Sequence, residues 1–390
     1  MKIKIILLFT LSVIISSCTA QTKMINSPEY QSKLGVKLSD SLATANTVNL
    51  YYNLKKLSEH KIIFGHHDAT AYGIEWQGDE NRSDVKDVVG SHPGVYGWDF
   101  MFIQPDRILE KDEENVRKLA LEAHERGGIN TLCWHLNNPA TDKSFYDTTI
   151  VVRKILPGGD LYLKYLRMLD HMAEFANSLK DSKGNLVPII FRPFHEFDGS
   201  WFWWGKRFCS REEFIELWQT TVIYLRDKKE VRNFIYAFSP DRMFFSHEEF
   251  LERYPGDEYV DIIGMDNYWD FSPDGAGLEW ITRKLRIITD LADQKNKVAA
   301  FTETGSEKIL DSTWWTDKFF KVMDDDRVKI AYAMVWRNAH KGHHYAPYPE
   351  HPSVPNFIEF YKKEKILFEK HLPDLFNSPI DNSTIEEINK

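Results

Sequence analysis

Eight short apolar runs recur along the chain, at residues 61–65, 95–98, 129–134, 187–191, 234–238, 261–265, 298–301 and 330–335. None shows the polar–apolar alternation of a strand with one wet face, so each reads as a strand buried on both sides. Such strands belong to parallel sheets covered by helices. Helical spacing of apolar residues fills most of the gaps: 112–126, 161–179, 211–227, 278–294 and a shorter stretch near 315–323. A further helix at 41–59 precedes the first strand, and one at 356–370 follows the last. The weakest link joins strands five and six, where 246–253 gives only a short helix. Eight strand-then-helix units predict a (β/α)8 TIM barrel, an α/β fold in a single catalytic domain.

The barrel is expected over residues 39–372, because no Pro/Gly/Ser-rich linker and no fixed-period repeat interrupts it. Residues 1–18 read as a targeting segment: Lys2 and Lys4 form a positive end, 5–15 an apolar run too short for a membrane span, and Ser16, Ser17 and Cys18 a small-residue end. The ISSC sequence at 15–18 resembles a bacterial lipobox, which implies export and a lipid anchor at Cys18. Residues 19–38 are polar and aperiodic and are expected to form a tether, and 373–390 a loosely docked tail. The segment after Cys18 lacks the acidic run that resembles a surface-export signal, so the periplasmic face is favoured over the cell surface. Apart from Cys18, only Cys133 and Cys209 are present, too few for a disulfide framework, and two buried thiols are expected.

In such barrels functional side chains gather where strands end. Here those positions carry His66, His67, Asp99, His135, Arg192, His195, Glu196, Asp241, Arg242, Asp266, Tyr268, Trp269, Glu303, Trp336 and Arg337. A net charge of −9 without a basic run argues against nucleic acid as substrate, whereas 12 Trp and 17 Tyr suit flat sugar faces. Glu196 and Glu303 end strands four and seven, which face each other across a barrel mouth. Two carboxyls about 5–5.5 Å apart can cleave a glycosidic bond with retention, one as acid then base, the other as nucleophile. Phe194, Phe197 and Trp201 around Glu196 predict a desolvated, proton-holding group, and Arg192 and Tyr268 are the expected donors to Glu303. Either glutamate alone reads as well as a rim salt bridge; the pair on facing strands does not. His66–His67 and His343–His344 are adjacent pairs without the spacing that sets two imidazoles on one helical face, so no metal is expected among them, His135 and His195. No cofactor is implied.

The segment FRPFHEFDGSWFWWG at 191–205 closely resembles the acid/base segment of glycoside hydrolase family 26, the β-mannanase family, and FTETG at 301–305 its nucleophile segment. Weaker matches at 63–67, 133–135 and 335–336 fall in the same order. The resemblance implies a retaining β-1,4-mannan hydrolase, either endo-acting or mannobiose-releasing, with Glu196 as acid/base and Glu303 as nucleophile. It also implies that Arg192 and His195 support the pair, that Tyr268 orients the nucleophile, and that His135 and Trp336 line the site of the attacked sugar. Trp201, Trp204 and Arg337 would serve neighbouring subsites. Mannan, galactomannan or glucomannan is the expected partner, and a monomer the expected state. The same mechanism on β-1,3-xylan or mixed-linkage β-glucan, and a non-catalytic carbohydrate-binding lipoprotein, are the alternatives. The loop at 68–82 has no clear counterpart and could block one end of the cleft.

Overall fold

Each apolar run buries both of its faces, and the two faces feed different cores. In the computed structural model, which describes residues 26–388, Ile189 and Phe191 join an outer cluster with the surrounding helices, while Ile190 between them joins an inner cluster at the barrel floor. Ile63 and Phe64 divide the same way. The strands are β1 (Ile62–His67), β2 (Val95–Asp99), β3 (Ile129–Cys133), β4 (Ile189–Arg192), β5 (Phe234–Phe238), β6 (Ile262–Asn267), β7 (Val298–Thr304) and β8 (Tyr332–Val335). They pair in parallel in chain order, and β8 returns to pair with β1, closing the predicted (β/α)8 barrel. A two-residue strand, Ile366–Leu367, adds beside the start of β1.

The long helices lie at Glu110–Glu125, Tyr162–Ser178, Arg211–Ile223 and Leu278–Lys295, close to the predicted limits. The third starts at once after the aromatic loop because Ser210 and Glu213 form a reciprocal capping box. Two stretches differ from expectation. A six-residue helix, Asp84–Val89, stands between β1 and β2, too short to leave a periodic signature. The single helix predicted at 356–370 is instead Val354–Tyr361 followed by the Ile366–Leu367 strand and a turn at Glu369–His371.

Both ends of the domain close the barrel floor, and here the expectation of a tether and a loose tail is corrected. Residues 27–34 form a helix, and Val36 and Leu38 beyond it are buried in the inner cluster with Leu375, Phe376 and Ile380. Gln31 fastens the segment by accepting from Leu38 N at 2.9 Å and donating to Asp40 O at 3.0 Å. Two asparagines of the helix before β1 hold the tail: Asn49 donates to Phe376 O at 2.8 Å, and Asn53 makes three further bonds. Asn53 donates to the carbonyls of Leu375 and Ser378, both at 2.9 Å, and accepts from Ile380 N at 2.8 Å. Sequence composition misjudged these stretches because their few apolar residues are spaced for a cap, not for a periodic element. Cys18 and residues 19–25 lie outside the described residues. Among the described residues no helix is long and apolar enough to cross a membrane. Cys133 and Cys209 are free and buried, as expected.

Candidate active site

A bulge turns Glu303 into the barrel mouth. Between β6 and β7 the register jumps from Met265↔Phe301 to Asp266↔Glu303, leaving Thr302 as the extra residue, and the β7–β8 pairing shifts over the same stretch. Thr302 Oγ1 holds the bulge by donating to Met265 O at 2.8 Å and lies 2.7 Å from Asp266 Oδ1. Glu303 then faces two donors: Arg192, through Nη2, and Tyr268, whose hydroxyl donates to Oε1 at 2.8 Å. Arg192 is fully buried and also donates to Asp266 Oδ2 at 2.5 Å. Burial alone would lower its pKa; Asp266 and Glu303 outweigh burial and hold the guanidinium charged. Both donors predicted for Glu303 are therefore in place.

Glu196 is placed by a strained turn. Phe194 and Glu196 both take left-handed backbone angles, φ 49° and 54°, which non-glycine residues adopt rarely and chiefly at functional sites. The turn is held by Glu196 N donating to Ser239 O at 2.9 Å and by Gly199 N donating to Glu196 O at 3.0 Å. The side chain is partly open to the cleft and accepts from Trp201 Nε1 at 2.6 Å. Its pKa stands well above the usual carboxylate range, first through burial and then through the charges of Asp241, Asp266 and Glu303; the Trp201 bond works against the rise. Glu303 acts on Glu196 across the same opening, so the two glutamates share one mouth in unlike surroundings.

The histidines form a buried pair beside them. His135 stands 2.6 Å through Nδ1 from Asp99 Oδ2 and 3.2 Å through Nε2 from His195 Nε2. Burial, then Arg192 and His135, push the His195 pKa well below the ordinary value, so it is neutral. Asp99, Cys133 and His135 are the one group among the described residues whose donor atoms come within 4.8 Å of one another. His135 Nδ1 is engaged by Asp99, and burial followed by Asp99 raises the Cys133 thiol well above its usual value. Trp336 packs against His67 with ring centroids 4.1 Å apart and planes tilted by 39°, and Gly97 makes room for His67, since a Cβ there would lie 2.4 Å from the imidazole.

The loop at 68–82 forms a fixed wall on the β1–β8 side. A short hairpin pairs Tyr72–Gly73 with Trp76–Gln77, and the Asp84 carboxylate accepts from Ile74 N at 3.0 Å, Trp76 Nε1 at 2.7 Å and Asn338 Nδ2 at 2.8 Å. Arg337 reaches this wall by donating to the Tyr72 hydroxyl at 2.9 Å, and Tyr72 in turn donates to Asp68. Of the predicted site residues, Glu196, Glu303, His135, Arg192, His195, Trp201, Tyr268, Trp336 and Arg337 gather at the mouth. Trp204 does not. It is fully buried, donates to His195 O at 2.8 Å and stacks on Phe202 at 4.5 Å, so it braces the loop from behind and presents no face to a ligand. Three tyrosines escaped the sequence reading. Tyr146 lies close enough to feel the charges of both glutamates, Tyr345 packs on Tyr268 at 5.6 Å, and Tyr72 meets Arg337. Tyr146 and Tyr345 sit in irregular loops and Tyr72 in a two-residue hairpin strand, so no periodicity marks them.

Comparison with known proteins agrees with this geometry. The model of glycosyl hydrolase family 26 matches residues 39–346. A mannan endo-1,4-β-mannosidase of Bifidobacterium adolescentis is 36% identical over 78% of this chain, which spans about a third (32%) of that protein's length. A mannan endo-1,4-β-mannosidase of Bacillus subtilis is 24% identical over 84% of this chain and 89% of its own. Among solved structures, GH26C from a Muricauda species superimposes with a TM-score of 0.84 at 40% identity, covering 91% of this chain and 99% of that one. A GH26 β-mannanase of Bacteroides ovatus gives 0.82 at 41% identity, covering 87% and 99%. A family model matched over most of the domain, on a closed barrel whose mouth holds the two glutamates, makes this chain a member of glycosyl hydrolase family 26.

Proposed function

We propose that the protein is a retaining β-1,4-mannan hydrolase. The observation that carries the reading is the pair of glutamates in unlike settings at one mouth: Glu196 held protonated by burial, Glu303 faced by Arg192 and Tyr268. Glu303 attacks the anomeric carbon while the Glu196 proton passes to the departing glycosidic oxygen; the covalent mannosyl-enzyme is then hydrolysed by a water that Glu196 deprotonates. His135 and Trp336 line the attacked sugar, His195 supports them, and Arg337 with the wall at Tyr72 bounds the next sugar. The substrate class follows from relatives named as mannan endo-1,4-β-mannosidases and a β-mannanase. Timed product analysis on mannohexaose and galactomannan tests it. Release of shorter manno-oligosaccharides from both is expected, with mixed lengths for internal cutting and disaccharide alone if the 68–82 wall stops the chain. Cleavage of β-1,3-xylan or mixed-linkage β-glucan with mannohexaose left intact would overturn the substrate.

We further infer from residues 15–18 that the protein is exported and lipidated at Cys18, facing the periplasm. In the native host, labelled fatty acid should enter the wild-type protein and not Cys18→Ser, and protease added to intact cells should spare it. Equal labelling of both forms removes the anchor.

A further inference from the structure

Trp269 is the most exposed of the chain's 12 tryptophans, about 50% open to solvent, although it follows Tyr268, the donor to Glu303. Its neighbours explain the local fold without it. Asp270 is buried and accepts from Lys284 at 2.6 Å and Asn267 at 2.9 Å, and Phe271 packs against Phe301 and Trp314. The indole contributes little to that packing and leaves a flat amphipathic ring open, the kind of surface on which a sugar face stacks. Arg242 lies over the ring with its guanidinium carbon 5.5 Å from the centroid. That arginine is held by Asp241 at 2.5 Å and lies 3.8 Å from Asp270.

The Arg242 loop is itself tied to the turn that carries Glu196. Asp198, two residues beyond Glu196, accepts from Asp241 N at 2.6 Å and Met243 N at 3.0 Å. β4 and β7, which bear Glu196 and Glu303, divide the barrel mouth into two halves. The half from β8 through β3 holds Trp336, Arg337, Tyr72 and His135. The half at β5 and β6 holds Arg242 and Trp269, with Met243 and Phe245 exposed beside them at 48% and 54%. A polysaccharide crossing the mouth must lie on both halves. The attacked sugar occupies the first, so the departing chain lies on the second.

We propose that Trp269 and Arg242 form a sugar-binding subsite on the leaving-group side. A pyranose stacks on the open indole face, and the guanidinium donates to its hydroxyls. The subsite rests on the β-mannan reading above. It also receives the acceptor sugar when the covalent intermediate is transferred to a second saccharide in place of water, since that acceptor enters where the leaving group departs.

The test compares two substrates: mannohexaose, long enough to cover both halves, and an aryl β-mannobioside, whose small phenol ends short of the ledge. In Trp269→Ala the ratio of kcat/KM on mannohexaose to that on the aryl substrate falls about tenfold, mainly through KM, and transfer to added mannobiose falls with it. Trp269→Phe recovers part of both. Equal losses on the two substrates would mean that Trp269 only positions Tyr268 and would overturn the subsite, as would an unchanged ratio. A wild-type enzyme that cleaves the aryl mannobioside but leaves mannohexaose intact also overturns it. A wild-type enzyme inert on both removes the mannan reading itself, and the subsite with it.

Discussion

Glu303→Ala abolishes mannan turnover, with kcat falling on the order of 10^4-fold or more, as expected when a covalent nucleophile is removed. The loss is chemical because Arg192 keeps Asp266 as a partner and the bulge is held by Thr302, not by Glu303. Circular dichroism should show a folded barrel. The truncation leaves a small space beside the Arg192 and Tyr268 donors, which suits an anion. With an activated aryl β-mannobioside, whose phenolate leaves without a proton, azide takes the place of the carboxylate and attacks the anomeric carbon from the opposite face. The expected product is an α-glycosyl azide, identified by its NMR coupling. Turnover near the wild-type level, or a β-glycosyl azide, would assign the nucleophile elsewhere.

Glu196→Ala behaves differently according to the leaving group. On mannan, whose sugar alkoxide must be protonated, kcat falls about 10^3-fold, within the range for loss of general acid catalysis. On a dinitrophenyl mannobioside the first step survives, deacylation lacks its base, and a burst of dinitrophenol precedes a slow steady state. Azide then relieves the block and gives the β-product. The pH profile carries a sign that can be checked. Burial, followed by Asp241, Asp266 and Glu303, raises the Glu196 pKa, so the acid form persists above the ordinary carboxylate range and kcat/KM is lost as pH rises through that raised value. The Trp201 bond favours the charged form, so Trp201→Phe moves the alkaline limb to higher pH. Asp241 disfavours it, so Asp241→Asn moves the limb to lower pH. A limb that stays in place or moves the opposite way in either variant would mean that the group replaced does not act on Glu196 in this manner.

The barrel was legible because burial on both faces leaves a run of apolar residues with no alternation, and eight such runs separated by helical stretches admit few closed arrangements. Ile189, Ile190 and Phe191 show the cause: alternate residues enter different cores, and both cores are dry. The glutamates were legible as well, because a carboxyl at the end of a buried strand is conspicuous. Trp204 was misread for a related reason. Three tryptophans within four residues look alike in sequence, yet Trp201 reaches Glu196 while Trp203 and Trp204 turn inward to the carbonyls of Leu136 and His195. Which ring faces the cleft depends on the left-handed turn at Phe194 and Glu196, and no residue type announces that turn.

By itself the sequence determined the number and order of strands, the ends at which chemistry gathers, and the identity of the two glutamates and their donors Arg192 and Tyr268. These follow from local hydrophobic pattern and from the rule that barrel strands end at one rim. Only the tertiary structure decided that a bulge at Thr302 turns Glu303 into the mouth, that Asp84 pins the 68–82 loop as a wall, and that residues 26–38 and 373–380 cap the floor. Each of these is set by contacts between residues far apart in the chain, such as Asp84 with Asn338 or Asn53 with Ile380, whose pairing carries no periodic trace in the order of amino acids.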